Sequence, residues 1–293
     1  MRLVPSLLFL FLMLFASCEK PLMNEADDQD DKKNQSNLTV SIFQIEQTPF
    51  SEFTRSQQDM PTRISYAAYD MEGQRVKQIN QKSGDADYGQ ARFLLTPGTY
   101  QLVVVAHSSN GNPTMTNLGK IQFTNAQGYT DTFLAVDTVE VTTQSQTLDV
   151  SPRRIVSLCR FVVTDTYPQN VAKLHFIYTG GSGAFDAHTG LGSVNSSQAM
   201  EVEVTKGRKE FDLYTFLHSE EGTIDLQVTA IDKNGIIAHQ RQFQVPMAQR
   251  QITRFSGPFF GGNGGGGGTT DEGLSVGITI NTQWDGEYNI TFQ

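Results

Sequence analysis

The sequence predicts an all-β protein, built as two β-sandwiches in tandem behind an export segment and a polar stretch. Three observations predict this. Apolar residues alternate with polar ones at Leu38, Val40 and Ile42 and again at Met200, Val202 and Val204, the period of a half-buried strand. Strand-like runs are separated by turn signatures at Asp70-Met71-Glu72-Gly73, Pro97-Gly98 and Asp232-Lys233-Asn234-Gly235. No long segment carries a helical period. The 293 residues suit two domains of ordinary size, and 38 % apolar content is enough for packed cores.

The chain opens with Arg2, then a mostly apolar run from Leu3 to Phe15, then Ala16-Ser17-Cys18. A basic start, an apolar middle and small residues at the end make an export signal. The run is too short to cross a bilayer, which takes about 20 apolar residues. Phe15-Ala16-Ser17-Cys18 resembles the lipobox of bacterial lipoproteins. That resemblance implies cleavage between Ser17 and Cys18, a diacylglycerol on the Cys18 thiol and usually an acylated amino group. A plain secreted protein with a Cys in its signal is the other reading. Two or three acyl chains hold a protein stably where one does not, at ~0.8 kcal/mol per buried CH₂.

Residues 1–17 are thus expected to be a lipoprotein signal peptide and 18–37 a flexible acidic tether. Glu25, Asp27, Asp28, Asp30 and Asp31 crowd this segment, which has too little apolar surface to offset its ordering entropy. The acidic cluster after Cys18 looks like the surface-export signal of Bacteroidetes lipoproteins; a solvated spacer is the plainer reading.

Residues 38–152 are expected to form the first sandwich. Its strands are Leu38 to Ile42, Thr62 to Asp70, Val76 to Ile79, Gln101 to Ala106, Ile121 to Phe123 and Phe133 to Val136. Val139 to Val141 and Leu148 to Val150 read as a closing pair. In Phe93 to Tyr100, Pro97 presets a turn and Gly98 is expected in the left-handed position. A strand, a Pro-Gly turn and a strand opening on Tyr recur in prealbumin-like sandwiches. Ser151-Pro152-Arg153-Arg154 reads as the boundary.

Residues 153–293 are expected to form the second sandwich, repeating the style without a clear sequence repeat. Ile155 to Val163 is nearly continuous apolar and reads as a central strand. Gly180 to Gly192 reads as a loop. Gly261 to Gly268 is glycine except for Asn263. It reads as a long loop within the second sandwich, or as a tether for a terminal strand that pairs with another subunit.

The residue inventory points away from several functions. With 22 basic and 31 acidic side chains, a net charge of −9 and no dense basic block, nucleic acid is a poor partner. Of two cysteines, Cys18 is assigned to lipid; Cys159 lies in an apolar run and reads as a buried, inert thiol. His107, His175, His188, His218 and His239 fall in no metal-ligand spacing. There is no nucleophile elbow, and Gly180-Gly181-Ser182-Gly183 lacks the Lys and helix of a phosphate loop. Neither an enzyme nor a cofactor is expected.

Several segments together resemble the fimbrial subunit and anchor lipoproteins of the Bacteroidales, the fimbrillin-like family. They are the Cys18 motif, Ile64-Ser65-Tyr66 with its Asp70 to Gly73 turn, Leu94 to Tyr100, Thr130 to Phe133, Leu158 to Val163 and Tyr178 to Ser182. The resemblance implies two transthyretin-like sandwiches and a fimbrial role at the outer membrane, with other fimbrial subunits and a host surface as partners. Shaft subunits of such fimbriae lose an N-terminal strand to an Arg-specific protease and accept a neighbour's strand by β-augmentation. Arg55 and Arg63 are the matching processing candidates. Anchor subunits keep their N-terminus, and the acidic tether favours the anchor. The alternative is a surface glycan-binding lipoprotein, which would need an exposed aromatic platform from Trp284 and scattered Tyr and Phe.

Overall fold

The computed structural model describes residues 36–42, 45, 61–204, 207–261, 277–279 and 287–293. The readings on the signal peptide, Cys18, the acidic cluster, Arg55, Trp284 and the Gly-rich run beyond Gly261 lie outside the described residues.

The described chain is all β. The first half contains β1 (Leu38–Ile42), β2 (Arg63–Tyr69), β3 (Arg75–Lys82), β4 (Gln90–Phe93), β5 (Gly98–His107), β6 (Thr114–Asn117), β7 (Lys120–Gln122), β8 (Thr132–Val141), β9 (Gln146–Val150) and β10 (Arg153–Arg154). The second contains β11 (Ser157–Val163), β12 (Val171–Thr179), β13 (Ala184–Phe185), β14 (Gln198–Glu203), β15 (Glu210–Thr215), β16 (Glu221–Asp232), β17 (Ile237–Ala248), β18 (Ile252–Gly257), β19 (Gly277–Thr279) and β20 (Glu287–Thr291).

In the first half, a sheet ordered β4-β1-β9 packs on one ordered β10-β8-β5-β2-β3. Leu38, Val40, Phe93 and Val150 from one sheet and Ile64, Tyr66, Leu102 and Val104 from the other close its core. In the second half, β15-β11-β18-β20-β19 packs on β14-β12-β16-β17 around Phe161, Phe176, Phe211, Leu226 and Phe255. The halves share one seven-strand plan. β1, β2, β3, β4, β5, β8 and β9 correspond to β11, β12, β14, β15, β16, β17 and β18, pair for pair. In both, the opening strand runs parallel to the closing strand, β1 with β9 and β11 with β18. Sequence reading missed this repeat because it lies in pairing order rather than residue identity.

Each half also carries one insertion, and the two insertions pair with each other. The β6–β7 hairpin interrupts the connection from β5 to β8, and β13 interrupts that from β12 to β14. Ala184 and Phe185 of β13 pair with Gln122 and Ile121 of β7. Beneath this staple lies a third core, joining Tyr69, Val103, Val105 and Leu134 to Ile121, Phe123, Phe185 and Phe216. The β10-β8-β5-β2-β3 sheet is therefore apolar on both faces. That explains why Val103 to Ala106 is uninterrupted apolar rather than alternating.

Three local expectations are corrected. Leu148 to Val150 does not pair with Val139 to Val141: β9 crosses to the opposite sheet and lies beside β1, while β8 pairs with β5. Gly98 is absent from the positive-φ glycines and instead opens β5 opposite Val141. The Tyr100 ring lies over it, with Oη donating to the Thr96 carbonyl at 2.8 Å. The 180–192 loop contains β13 and is a structural joint. At the expected boundary, Arg153 and Arg154 pair with Leu134 and Phe133 of β8. Arg154, 5 % exposed, makes a two-point ion pair with Asp131, both contacts 2.7 Å. The turns at Asp70 and Asp232 form as expected. Each aspartate Oδ1 accepts two backbone N–H bonds, and Gly73 and Gly235 take positive φ.

Candidate strand-exchange sites

Two strands are built differently from the rest. The first is β1. It has five residues, yet it sits in the centre of its sheet, antiparallel to β4 and parallel to β9. Leu38 and Val40 are fully buried in the core. Burying each stabilises by roughly 1.5–3 kcal/mol, and ladder hydrogen bonds on both sides add to this.

Asn37 locks the entry to β1. Its Nδ2 donates to the carbonyls of Leu95 and Thr142 at 2.8 and 2.9 Å, and its Oδ1 accepts from the Leu95 N–H at 3.0 Å. Its own N–H bonds the Phe93 carbonyl, and its carbonyl accepts from Gln146. One side chain thus ties both flanking segments together. Sequence reading placed Asn37 at the end of the tether, since one Asn in a polar run gives no sign of distant carbonyls.

Of the two processing candidates, Arg63 is described. Its guanidinium donates to the Asn110 carbonyl at 3.0 Å and to Asn112 Oδ1 at 3.2 Å. Its backbone faces Lys82 on one side and His107 on the other. The Arg63–Ile64 bond lies inside a strand paired on both edges. Arg55 precedes β2 in the chain, and cutting there would separate β1 from everything downstream.

The second distinctive strand is β20, which lies parallel to β18 with β19 on its far side. Its seat is aromatic. The Phe292 ring stacks on Phe161 at 5.4 Å and Phe255 at 4.9 Å, and tilts against Phe243 at 4.7 Å. Arg241 closes the seat by donating to the carbonyls of Pro258 and Gln293. Its guanidinium lies 5.0 Å over the Phe243 ring and 5.3 Å over Phe292. Gly257 is required there, because a Cβ would stand 1.9 Å from the Phe292 carbonyl oxygen. Asp165 fixes the chain just after β18, accepting from the N–H groups of Phe259, Phe260 and Gly261 at 3.0, 2.6 and 2.7 Å.

The remaining sequence candidates take structural places. Cys159 is fully buried, and burial pushes its thiol far above the ordinary range. His107 is buried and uncharged, its Nδ1 2.6 Å from Ser109 Oγ and its ring edge-on to Phe123 at 5.0 Å. His188 pairs with Asp186 at 2.9 Å, and His218 with the Gly192 carbonyl at 2.8 Å. Among the described residues, no group of three His, Cys, Asp or Glu is placed to hold a metal, and no helix is long and apolar enough to cross a membrane.

A search of curated proteins finds no match. Among solved structures, the chain is similar to a candidate adhesin from Bacteroides ovatus, at 17 % identity and TM-score 0.46, covering 73 % of this chain and 85 % of that one. It is similar to a candidate polysaccharide-binding protein from Bacteroides thetaiotaomicron, at 14 % identity and TM-score 0.45, covering 69 % and 78 %. It is also similar to the fimbrial anchor protein Mfa2 from Porphyromonas gingivalis, at 14 % identity and TM-score 0.40, covering 70 % and 80 %. Likeness at this level is one of shape, and the function is argued from the residues. Residues 28–293 match one family model, and the chain belongs to that family, described as a family of unknown function, DUF6562.

Proposed function

We propose that this chain is an outer-membrane lipoprotein that anchors a fimbria and joins neighbouring subunits by β-strand pairing. The observation that carries this reading is β1, a five-residue strand at the centre of a three-stranded sheet, downstream of the lipobox-like motif at Cys18. Removing such a strand would leave a groove between β4 and β9 with two unpaired backbone edges and an open apolar floor. A strand from a neighbour would satisfy both edges at once. In the anchor, β1 stays and ties the fold covalently to a lipidated Cys18. In a processed shaft subunit, cleavage after Arg55 frees β1 and detaches the body from its lipid.

The aromatic seat of β20 supports strand pairing from the other end of the chain. A C-terminal strand held by one ring cluster and one arginine is a discrete module that could complete a neighbour's sheet. The host surface is reached through the assembled fibre.

The N-terminus of the protein isolated from cells tests this. An acylated Cys18, with Cys18→Ala shedding protein and fibre into the medium, is the expected result. A mature start at Ser56 makes the chain a processed shaft subunit. Fibres that stay cell-bound in the Cys18→Ala strain would overturn the anchor assignment.

A further inference from the structure

The two insertions that staple the halves also frame a cleft of about 560 Å³ on the adjoining surface. Three pieces of chain form it. The β2–β3 turn supplies Met71, Glu72 and Gln74; the face of β5 supplies Gln101; the end of β6 supplies Thr116 and Asn117, and the turn after it Leu118. His188, from the loop after β13, closes it from the second half. The shared seven-strand plan needs neither insertion, so this cleft is an addition to the sandwiches. It lies where the two halves meet, a common place for ligand sites.

The chemistry of the lining is specific. Among the described residues, the side chains of Gln74, Gln101 and Thr116 make no hydrogen bond within the protein. Asn117 spends only its Oδ1, which accepts from the Gly119 N–H at 2.8 Å, leaving its NH₂ to donate. Three amides and a hydroxyl therefore present interleaved donors and acceptors. That pattern suits vicinal hydroxyls, each of which donates and accepts. Met71 is 63 % exposed at the rim and offers an apolar surface for the C–H face of a sugar ring. Glu72 stands in the wall and His188 is already engaged by Asp186, so anionic ligands meet no free cation.

We infer that this cleft binds a neutral saccharide of one to two rings. Exposed large apolar side chains among the described residues include no aromatic, so no stacking platform adds affinity. The single site is therefore weak, and many copies held together would supply avidity. Only that multivalent use rests on the fimbrial reading; binding to the isolated chain does not.

The test applies purified full-length chain, in mild detergent, to an array carrying mannose-, galactose-, N-acetylglucosamine- and fucose-terminated oligosaccharides, their sialylated and uronic counterparts, and polar peptides. Saturable binding to neutral glycans is expected. Gln101→Ala and Asn117→Asp, which keeps the Oδ1 acceptor but loses the NH₂, each weaken it by about tenfold, the worth of one hydrogen bond. Both variants should keep the parent melting temperature. Absence of neutral-glycan binding, binding confined to anionic glycans or peptides, or binding untouched by both variants would each overturn the inference. None of these results bears on anchoring, which is read separately from Cys18.

Discussion

The two halves share one strand order, yet their closing strands meet different fates. In the first half β9 is the last described strand of its sheet; in the second, β18 carries β20 and β19 beyond it. Two positions on the facing strand differ in a way that matches this. Superposing the pairing registers aligns Leu102 with Leu226 and Val104 with Val228, so Asp137 of β8 stands where β17 has Phe243, and Ala135 where it has Arg241. Phe243 and Arg241 are the residues that seat Phe292 and Gln293. Asp137 puts a charge on the core-facing side of β8, where a strand seated beside β9 would have to pack against it. One plan thus produces a guarded margin or an occupied one through two side chains.

The largest expected effect tests the strand that both halves need. Val40→Asp buries a lone carboxylate between β4 and β9 and should cost roughly 4 kcal/mol or more. The first half is expected to melt well below the second in calorimetry; a single unshifted transition would deny β1 its central role.

Phe292→Ala addresses the second half alone. Losing a ring that touches three others should cost about 3 kcal/mol, read as early hydrogen exchange in β18 with β1 and β5 unchanged. Equal loosening of both halves would show that the seat is not local.

Acid probes the joint between them. Burial, then the nearby Arg63 charge, lowers the His107 pKa from 6.5 to about 4. The unfolded chain therefore binds a proton that the folded chain refuses. Stability is full above pH 6.5, falls as pH drops toward 4 and is flat below. The loss is at most about 3 kcal/mol, and His107→Phe should flatten that part of the melting-temperature profile.

Smaller effects sharpen the comparison itself. Arg241→Ala should cost about 1 kcal/mol and raise proteolysis at the C-terminus first. Asp137→Phe gives the first half the chemistry of the second. It should promote concentration-dependent self-association in light scattering, and a strictly monomeric variant would show that the guard lies elsewhere.

Much of the fold was legible because it is local. Alternation placed β1 and β14, and the Asp-x-x-Gly pattern placed the turns after β2 and β16. What escaped was set by residues far apart. Nothing in Ala184-Phe185 announces pairing with Ile121 and Gln122, since two apolar residues in a Gly/Ser loop read as loop. The side of the sandwich that Leu148 joins is decided by β1, more than a hundred residues earlier. Gly98 was misread because Pro-Gly signals a turn whether or not a tyrosine ring needs the space. Of the candidate sites, the strand alternation of β1 was visible, whereas Asn37, Arg241 and the cleft between insertions exist only once the chain has folded back on itself.

The placement of β1 has a mechanical side. A pull arriving at residue 36 runs along the axis of this strand, and its neighbours on both flanks are loaded together, in shear. Bonds strained in parallel yield at far higher force than bonds peeled one after another. A tug on the N-terminal end of the chain would therefore be resisted by the whole width of the sheet, with Asn37 the first rivet to feel it.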